Sequence, residues 1–259
     1  MPAMLAYALV MLLGAVIGSF LNVCIHRLPR GESLAWPASH CPACAAPIAA
    51  YDNVPVLSYL LLRGRCRACE APISLRYPLV ELANALGYAL ILWRFGPTWP
   101  ALVYAMLFSA LLVVTGIDLS HQIIPNVITL PGIVVGFLCA ATILPVGAVN
   151  SLLGVLVGGG ILLGFAWISP YVFGKEGMGL GDVKLVAMVG AFLGWRQALL
   201  TIMVGAVVGS VVGLTLIAFK VMRREHYIPF GPFLALGAVA ALLFYREVWE
   251  WYFGLLGPR

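Results

Sequence analysis

Two of the three aspartates in this 259-residue chain stand at the edges of strongly apolar segments. They are Asp118 in Gly116-Ile117-Asp118-Leu119 and Asp182 in Gly177-Met178-Gly179-Leu180-Gly181-Asp182. An ionisable carboxyl at such a place is costly and needs a reason. Two carboxyls sharing one proton supply one: the ionised member takes a proton from water while the protonated member polarises a carbonyl and later gives its proton to a leaving amine. Coupled carboxyls titrate as a pair, so neither role belongs to a particular aspartate. Each aspartate alone also has a plain structural explanation. Asp182 after a glycine-rich turn reads as a helix N-cap, and Asp118 reads as a buried polar group or part of an ion path. Pairing at one membrane face favours chemistry, and the glycines beside Asp182 would let a substrate backbone approach closely.

The elements that must position this pair are membrane helices. With 63% hydrophobic and 10% charged residues and a mean hydropathy of +1.03, the chain departs from soluble domains, which carry about 25% charged residues. A bilayer-spanning helix needs about 20 mainly apolar residues. Apolar runs at 5–23, 79–95, 100–117, 127–144, 148–170, 183–194, 198–219 and 230–245 predict an all-α polytopic protein of about eight transmembrane helices. The sixth run covers only about 18 Å, short of a hydrocarbon core of about 30 Å, and predicts a half-helix or a thinned region.

Orientation follows from the basic residues of the connections. Eleven of fifteen Lys and Arg (Arg27, Arg30, Arg63, Arg65, Arg67, Arg76, Lys175, Lys184, Lys220, Arg223 and Arg224) fall in one alternating set, against Arg94, Arg196, Arg246 and Arg259 in the other. The positive-inside rule places the first set, and both motif aspartates, at the cytoplasmic face with the termini outside. No basic residue precedes the first apolar run, so it reads as an uncleaved span. This bias accounts for the net charge of +5. No aromatic-basic stripe supports nucleic-acid binding.

The one long polar stretch, about Cys24 to Tyr77, carries a second chemical signal. Cys41-Pro42-Ala43-Cys44 and Cys66-Arg67-Ala68-Cys69 are two C-x2-C pairs 21 residues apart, close to the spacing of four-cysteine zinc sites. A loop of some fifty residues with little apolar content needs such a nucleus to fold around. Two disulfides are the alternative, and they require an oxidising compartment. His40 stands next to the first pair as a possible substitute ligand, and Cys24 and Cys139 read as packing residues. Glycines four apart at Gly154-Gly158, Gly160-Gly164 and Gly205-Gly209-Gly213 predict close helix packing. Lys184 reads as snorkelling to the interface, and Glu81 as a local ion-pair partner of Arg76 or a contact for a basic substrate. No tandem repeat is evident.

Taken in order, the motifs resemble the type IV prepilin peptidases, bacterial members of the GxGD membrane aspartic proteases. They are Gly18-Ser19-Phe20-Leu21-Asn22-Val23 with His26-Arg27-Leu28-Pro29; the two cysteine pairs; Tyr51 to Pro55; Ile73-Ser74-Leu75-Arg76-Tyr77-Pro78 with Glu81; Asp118; GMGLGDVKL from Gly177; and Ile228-Pro229-Phe230-Gly231-Pro232. The resemblance implies that Asp118 and Asp182 are catalytic and that Cys41, Cys44, Cys66 and Cys69 bind structural zinc. It implies prepilins or pseudopilins as substrates, cleaved after a glycine of a short basic leader, at the cytoplasmic face of the bacterial inner membrane. It further implies N-methylation of the new terminus from S-adenosylmethionine, for which no nucleotide-binding fingerprint is visible. The family often has Asp where this chain has Asn126. The implied organisation is a first helix at 1–23, a cytoplasmic zinc domain at 24–78 and a membrane-embedded protease core at 79–259. A transporter using Asp118, Asp182 and Glu81 as a proton or cation path is the competing reading; it leaves the cysteine loop unexplained.

Overall fold

The computed structural model describes residues 2–173, 178–221 and 228–255. Gly177 of the glycine motif, with Lys175, Arg223, Arg224 and Arg259 of the charge argument, lies outside them. The elements are α1 (Pro2–Arg27), α2 (Leu57–Leu61), α3 (Arg76–Phe95), α4 (Trp99–His121), α5 (Asn126–Thr142), α6 (Gly147–Phe173), α7 (Leu180–Leu193), α8 (Trp195–Ala218) and α9 (Gly231–Leu255). A helix therefore forms at each of the eight apolar runs. Two isolated antiparallel bridges, His40 with Pro47 and Arg65 with Pro72, lie in the polar loop.

Five of these helices are long and apolar enough to cross a membrane: α1, α4, α6, α8 and α9. The expected eight spans are thus reduced to five by this measure. Helix α3 includes Arg76, Glu81 and Arg94 within its 20 residues, α5 has 17 residues and α7 has 14. At 1.5 Å per residue α7 is about 21 Å long. Its ten buried residues, Asp182 and Leu185 to Leu193, explain how so short an apolar helix persists: it is sheathed by α5, α6, α8 and α9, not by lipid.

The chain divides into two compact units, Met1–Val113 and Val114–Arg259. In the first, α1 packs on α3 through glycines. A Cβ on Gly18 would lie 2.7 Å from Glu81 Cα, and one on Gly14 would lie 2.8 Å from Ala85 Cα. The close approach is sealed by polar side chains. Asn84 Nδ2 donates to the Gly14 carbonyl at 2.7 Å, Asn22 Nδ2 donates to the Tyr77 carbonyl at 3.1 Å, and Ser109 Oγ donates to Asn84 Oδ1 at 3.0 Å. Small residues that admit a neighbouring backbone, with hydrogen bonds across the contact, are the usual glue of apolar helices.

In the second unit, α7 is fixed by backbone contact. Gly154 of α6 and Gly190 of α7 face each other so closely that a Cβ on either would strike the other's backbone. Gly194 (φ +88) ends α7, its N–H bonding to the Gly190 carbonyl, and α8 begins at the next residue. A left-handed residue there favours glycine. The expected glycine packing holds for Gly154-Gly158 against α7 and for Gly205-Gly209 against Phe233 and Leu234 of α9. It does not hold for Gly160 and Gly164, which face open space; spacing puts residues on one helix face without saying which neighbour that face meets.

Candidate active site and metal centre

Asp118 and Asp182 both belong to the second unit, on different helices. Asp118 sits in the last turn of α4 and is buried, as is Asp182 in the first turn of α7. The two carboxyls lie within electrostatic range of each other. The N-cap of α7 is Gly179, so Asp182 does not cap the helix as expected. It is the third helical residue, and its carboxyl reaches back toward the Gly179 backbone, as the acid of a capping box does.

The floor under the pair comes from two segments whose role the sequence did not reveal. At the start of α9 the Gly231 N–H donates to Asp118 Oδ2 at 3.0 Å. A Cβ on Gly231 would stand 2.6 Å from that oxygen and 3.3 Å from Ile124 Cδ1. On the other side, a Cβ on Gly181 would stand 2.9 Å from Ile124 Cβ. Ile124, in the α4–α5 connection, is thus wedged between the Gly181 turn that carries Asp182 and the Gly231 turn that holds Asp118. Gly231 was visible only as part of a motif, because 113 residues separate it from its partner.

Lys184 does not simply snorkel. Its Nζ donates to Asn126 Oδ1 at 2.8 Å, tying the start of α7 to the start of α5. The residue at which this chain departs from the family pattern is therefore the acceptor for a lysine two residues from Asp182. Glu81, in the first unit, is likewise reassigned. Its Oε2 accepts the Val56 N–H at 2.7 Å, while the Arg76 guanidinium lies over the Tyr77 ring.

The four loop cysteines converge. Their sulfurs lie within 4.8 Å of one another, with Cys41 and Cys69 3.9 Å apart. A zinc–thiolate tetrahedron with bonds of about 2.3 Å has sulfur–sulfur edges of about 3.8 Å, so the cluster is of the size a metal ion needs. None of the six cysteines is in a disulfide. His40 stays outside the cluster, its Nδ1 at 3.0 Å from the Ala38 carbonyl oxygen. The donor set also asks for a cation. Backbone N–H groups of Cys44 and Ala43 pull the Cys41 thiol down to about 6. The Ala71 backbone draws Cys69 the same way, yet its neighbours Cys44, Cys66 and Cys41 push it up to about 12. Four sulfurs this close hold all their negative charge only around a positive ion.

The two knuckles are copies of one local structure. In each, the residue four past the first cysteine has a left-handed φ, Ala45 at 57° and Glu70 at 58°, and its N–H bonds to that cysteine's carbonyl at 2.9 Å. The sequences match accordingly: Cys41-Pro42-Ala43-Cys44-Ala45-Ala46-Pro47-Ile48 against Cys66-Arg67-Ala68-Cys69-Glu70-Ala71-Pro72-Ile73. Arg67, inside the second copy, clamps Asp52 with Nε at 2.7 Å and Nη2 at 2.6 Å and holds its carboxyl below the usual carboxylate range.

Comparison with known proteins agrees with the motifs. Residues 12–95 match the bacterial peptidase A24 N-terminal domain, and residues 105–214 match the type IV leader peptidase family. A protein of Stutzerimonas stutzeri named prepilin leader peptidase/N-methyltransferase is 39% identical, over 92% of this chain and 90% of the relative. Proteins of the same name in Aeromonas hydrophila and Pseudomonas aeruginosa are 38% and 37% identical, over 96% and 95% of this chain and 94% and 93% of the relatives. No solved structure matches. This chain belongs to the type IV leader peptidase family.

Proposed function

We propose that this protein is a membrane aspartic endopeptidase that removes the leader from type IV prepilins or pseudopilins and then N-methylates the new terminus. The observation that carries the peptidase half is that two buried carboxyls, Asp118 and Asp182, come from different helices to within electrostatic range of each other. One carboxylate takes a proton from the attacking water. The other, protonated, donates to the scissile carbonyl oxygen, and the proton it recovers goes to the departing amine. The Gly231 N–H orients Asp118, and Gly179, the N-cap of α7, adds no side chain of its own beside Asp182. For the second step S-adenosylmethionine, when bound, would supply an electrophilic methyl group to the freed amine and leave as S-adenosylhomocysteine.

In this reading Cys41, Cys44, Cys66 and Cys69 hold a structural zinc that folds the loop. The organisation is a first helix at 1–23, a cytoplasmic zinc domain at 24–78 and a membrane-embedded protease core at 79–259. Cleavage takes place at the cytoplasmic face of the bacterial inner membrane, as the basic residues of the connections argue.

The test is cleavage of a prepilin by the protein purified in detergent. Asp118→Asn and Asp182→Asn should each abolish leader removal while the protein still inserts and binds substrate, because an amide serves neither as acid nor as base. Asp52→Asn, in the cysteine loop, should retain it. Leader removal by either motif variant at near the parent rate would overturn the mechanism. Transfer of labelled methyl from S-adenosylmethionine to the trimmed substrate tests the second half.

A further inference from the structure

The cysteine loop contains a short helix built inside out. Helix α2 reads Leu57-Ser58-Tyr59-Leu60-Leu61. Its buried residue is Ser58, which donates to the Tyr51 carbonyl at 3.0 Å and accepts the Val54 N–H at 3.0 Å. Its leucines face outward: Leu57, Leu60 and Leu61 are 53%, 65% and 74% exposed. A loop folded for water alone would make the opposite choice, since exposed clusters of large apolar side chains mark interaction surfaces.

The height of α2 is fixed by Val56, the residue before it. Its N–H bonds to Glu81 Oε2 at 2.7 Å. Glu81 is buried on α3, with Ser19 of α1 beside its carboxyl and Gly18 of α1 packed on its Cα. That level is about 7.5 Å along α3 from Arg76, where the outward residues are already apolar: Leu79 and Phe20 are 61% and 51% exposed. Val56 reaches this bond with φ +61, a conformation that a β-branched residue holds only when its surroundings demand it. Beyond α2 come Arg63 and Arg65, both exposed, and no acidic residue occurs from Asn53 to Cys69.

We propose that the hairpin from Val54 to Arg65 is an interfacial membrane anchor, with Leu57, Leu60 and Leu61 among the acyl chains and Arg63 and Arg65 on anionic headgroups. Two features point to lipid. The apolar tip continues the outward apolar surface of α1 and α3, a helix pair pinned to it through Glu81. The basic pair complements an anionic surface, and shallow burial of leucines with flanking arginines is how interfacial helices bind bilayers. The anchor would hold the cysteine loop down on the membrane.

The experiment places photoreactive p-benzoylphenylalanine at Leu60, Leu61 or, for comparison, Glu70 of the full chain. Each variant is checked for monodisperse elution and reconstituted into phosphatidylethanolamine vesicles with or without phosphatidylglycerol. After irradiation, mass spectrometry should find lipid adducts at Leu60 and Leu61 and not at Glu70. Arg63→Gln with Arg65→Gln should cut the phosphatidylglycerol adducts several-fold. Lipid adducts equal at all three positions, or none at Leu60 and Leu61, would overturn the proposal. So would adducts to an added prepilin in place of lipid, which would make the tip a substrate-docking surface.

Discussion

Replacing Gly231 by alanine is the most direct probe of how the carboxyl pair is held. The new Cβ would stand 2.6 Å from Asp118 Oδ2 and 3.2 Å from its Cγ, whereas a carbon and an oxygen at rest keep well over 3 Å. Helix α9 begins at this residue, and Ile124 Cδ1, 3.3 Å from the same Cβ, closes the other side. The carboxyl must therefore swing by somewhat under 1 Å or break its bond to the Gly231 N–H. Misplacement of a catalytic group by about 1 Å costs about 100-fold in rate, or about 2.7 kcal/mol of barrier. Prepilin cleavage followed by gel shift, with kcat and KM separated, should show the loss in kcat. Gly160→Ala and Gly164→Ala are the matched controls: both face open space, and alanine improves helix propensity by about 1 kcal/mol. Gly231→Ala protein that elutes normally and cleaves within about threefold of the parent, under 0.7 kcal/mol, would refute the geometry.

Purified protein should contain one zinc per chain, measured by metal analysis, and Cys41→Ser should lose it while Asp118 and Asp182 stay in place; a metal-free protein with the four cysteines in disulfides would contradict this. Ala45→Gly and Glu70→Gly should each relieve about 1 kcal/mol of left-handed strain, seen as slower zinc loss to a chelator. The Asp52–Arg67 pair is lost only on acidification. Because Arg67 lowers the Asp52 pKa in the fold, its contribution is complete above the ordinary carboxylate value of about 4 and disappears as pH falls through the lower folded value; loop stability followed against pH should show a step in the parent that Asp52→Asn lacks. An impermeant thiol reagent applied to intact cells should leave an engineered cysteine near Ser33 unlabelled if the proposed orientation, with that loop inside, is right.

Much of this protein is legible in residues close together along the chain. The Gly179–Asp182 turn, the knuckles at Cys41–Cys44 and Cys66–Cys69, and helices at all eight apolar runs follow from local spacing, because a turn, a C-x2-C loop and a helix each close their own hydrogen bonds within a few residues. Even the repeat of the knuckles was written there, in Ala-Cys-x-Ala-Pro-Ile, although only the paired left-handed residues made it plain. The contacts that join the helices to one another and to the cysteine loop are of another kind. Gly231 with Asp118, Ile124 between Gly181 and Gly231, Lys184 with Asn126, and Val56 with Glu81 join residues 25 to 113 apart. Apolar periodicity cannot rank such pairings, since in a chain this hydrophobic every helix face is compatible with lipid and with protein alike. Whether α7 meets lipid or neighbours, and whether Gly154 or Gly160 meets a backbone, was decided only when close packing selected one set of neighbours.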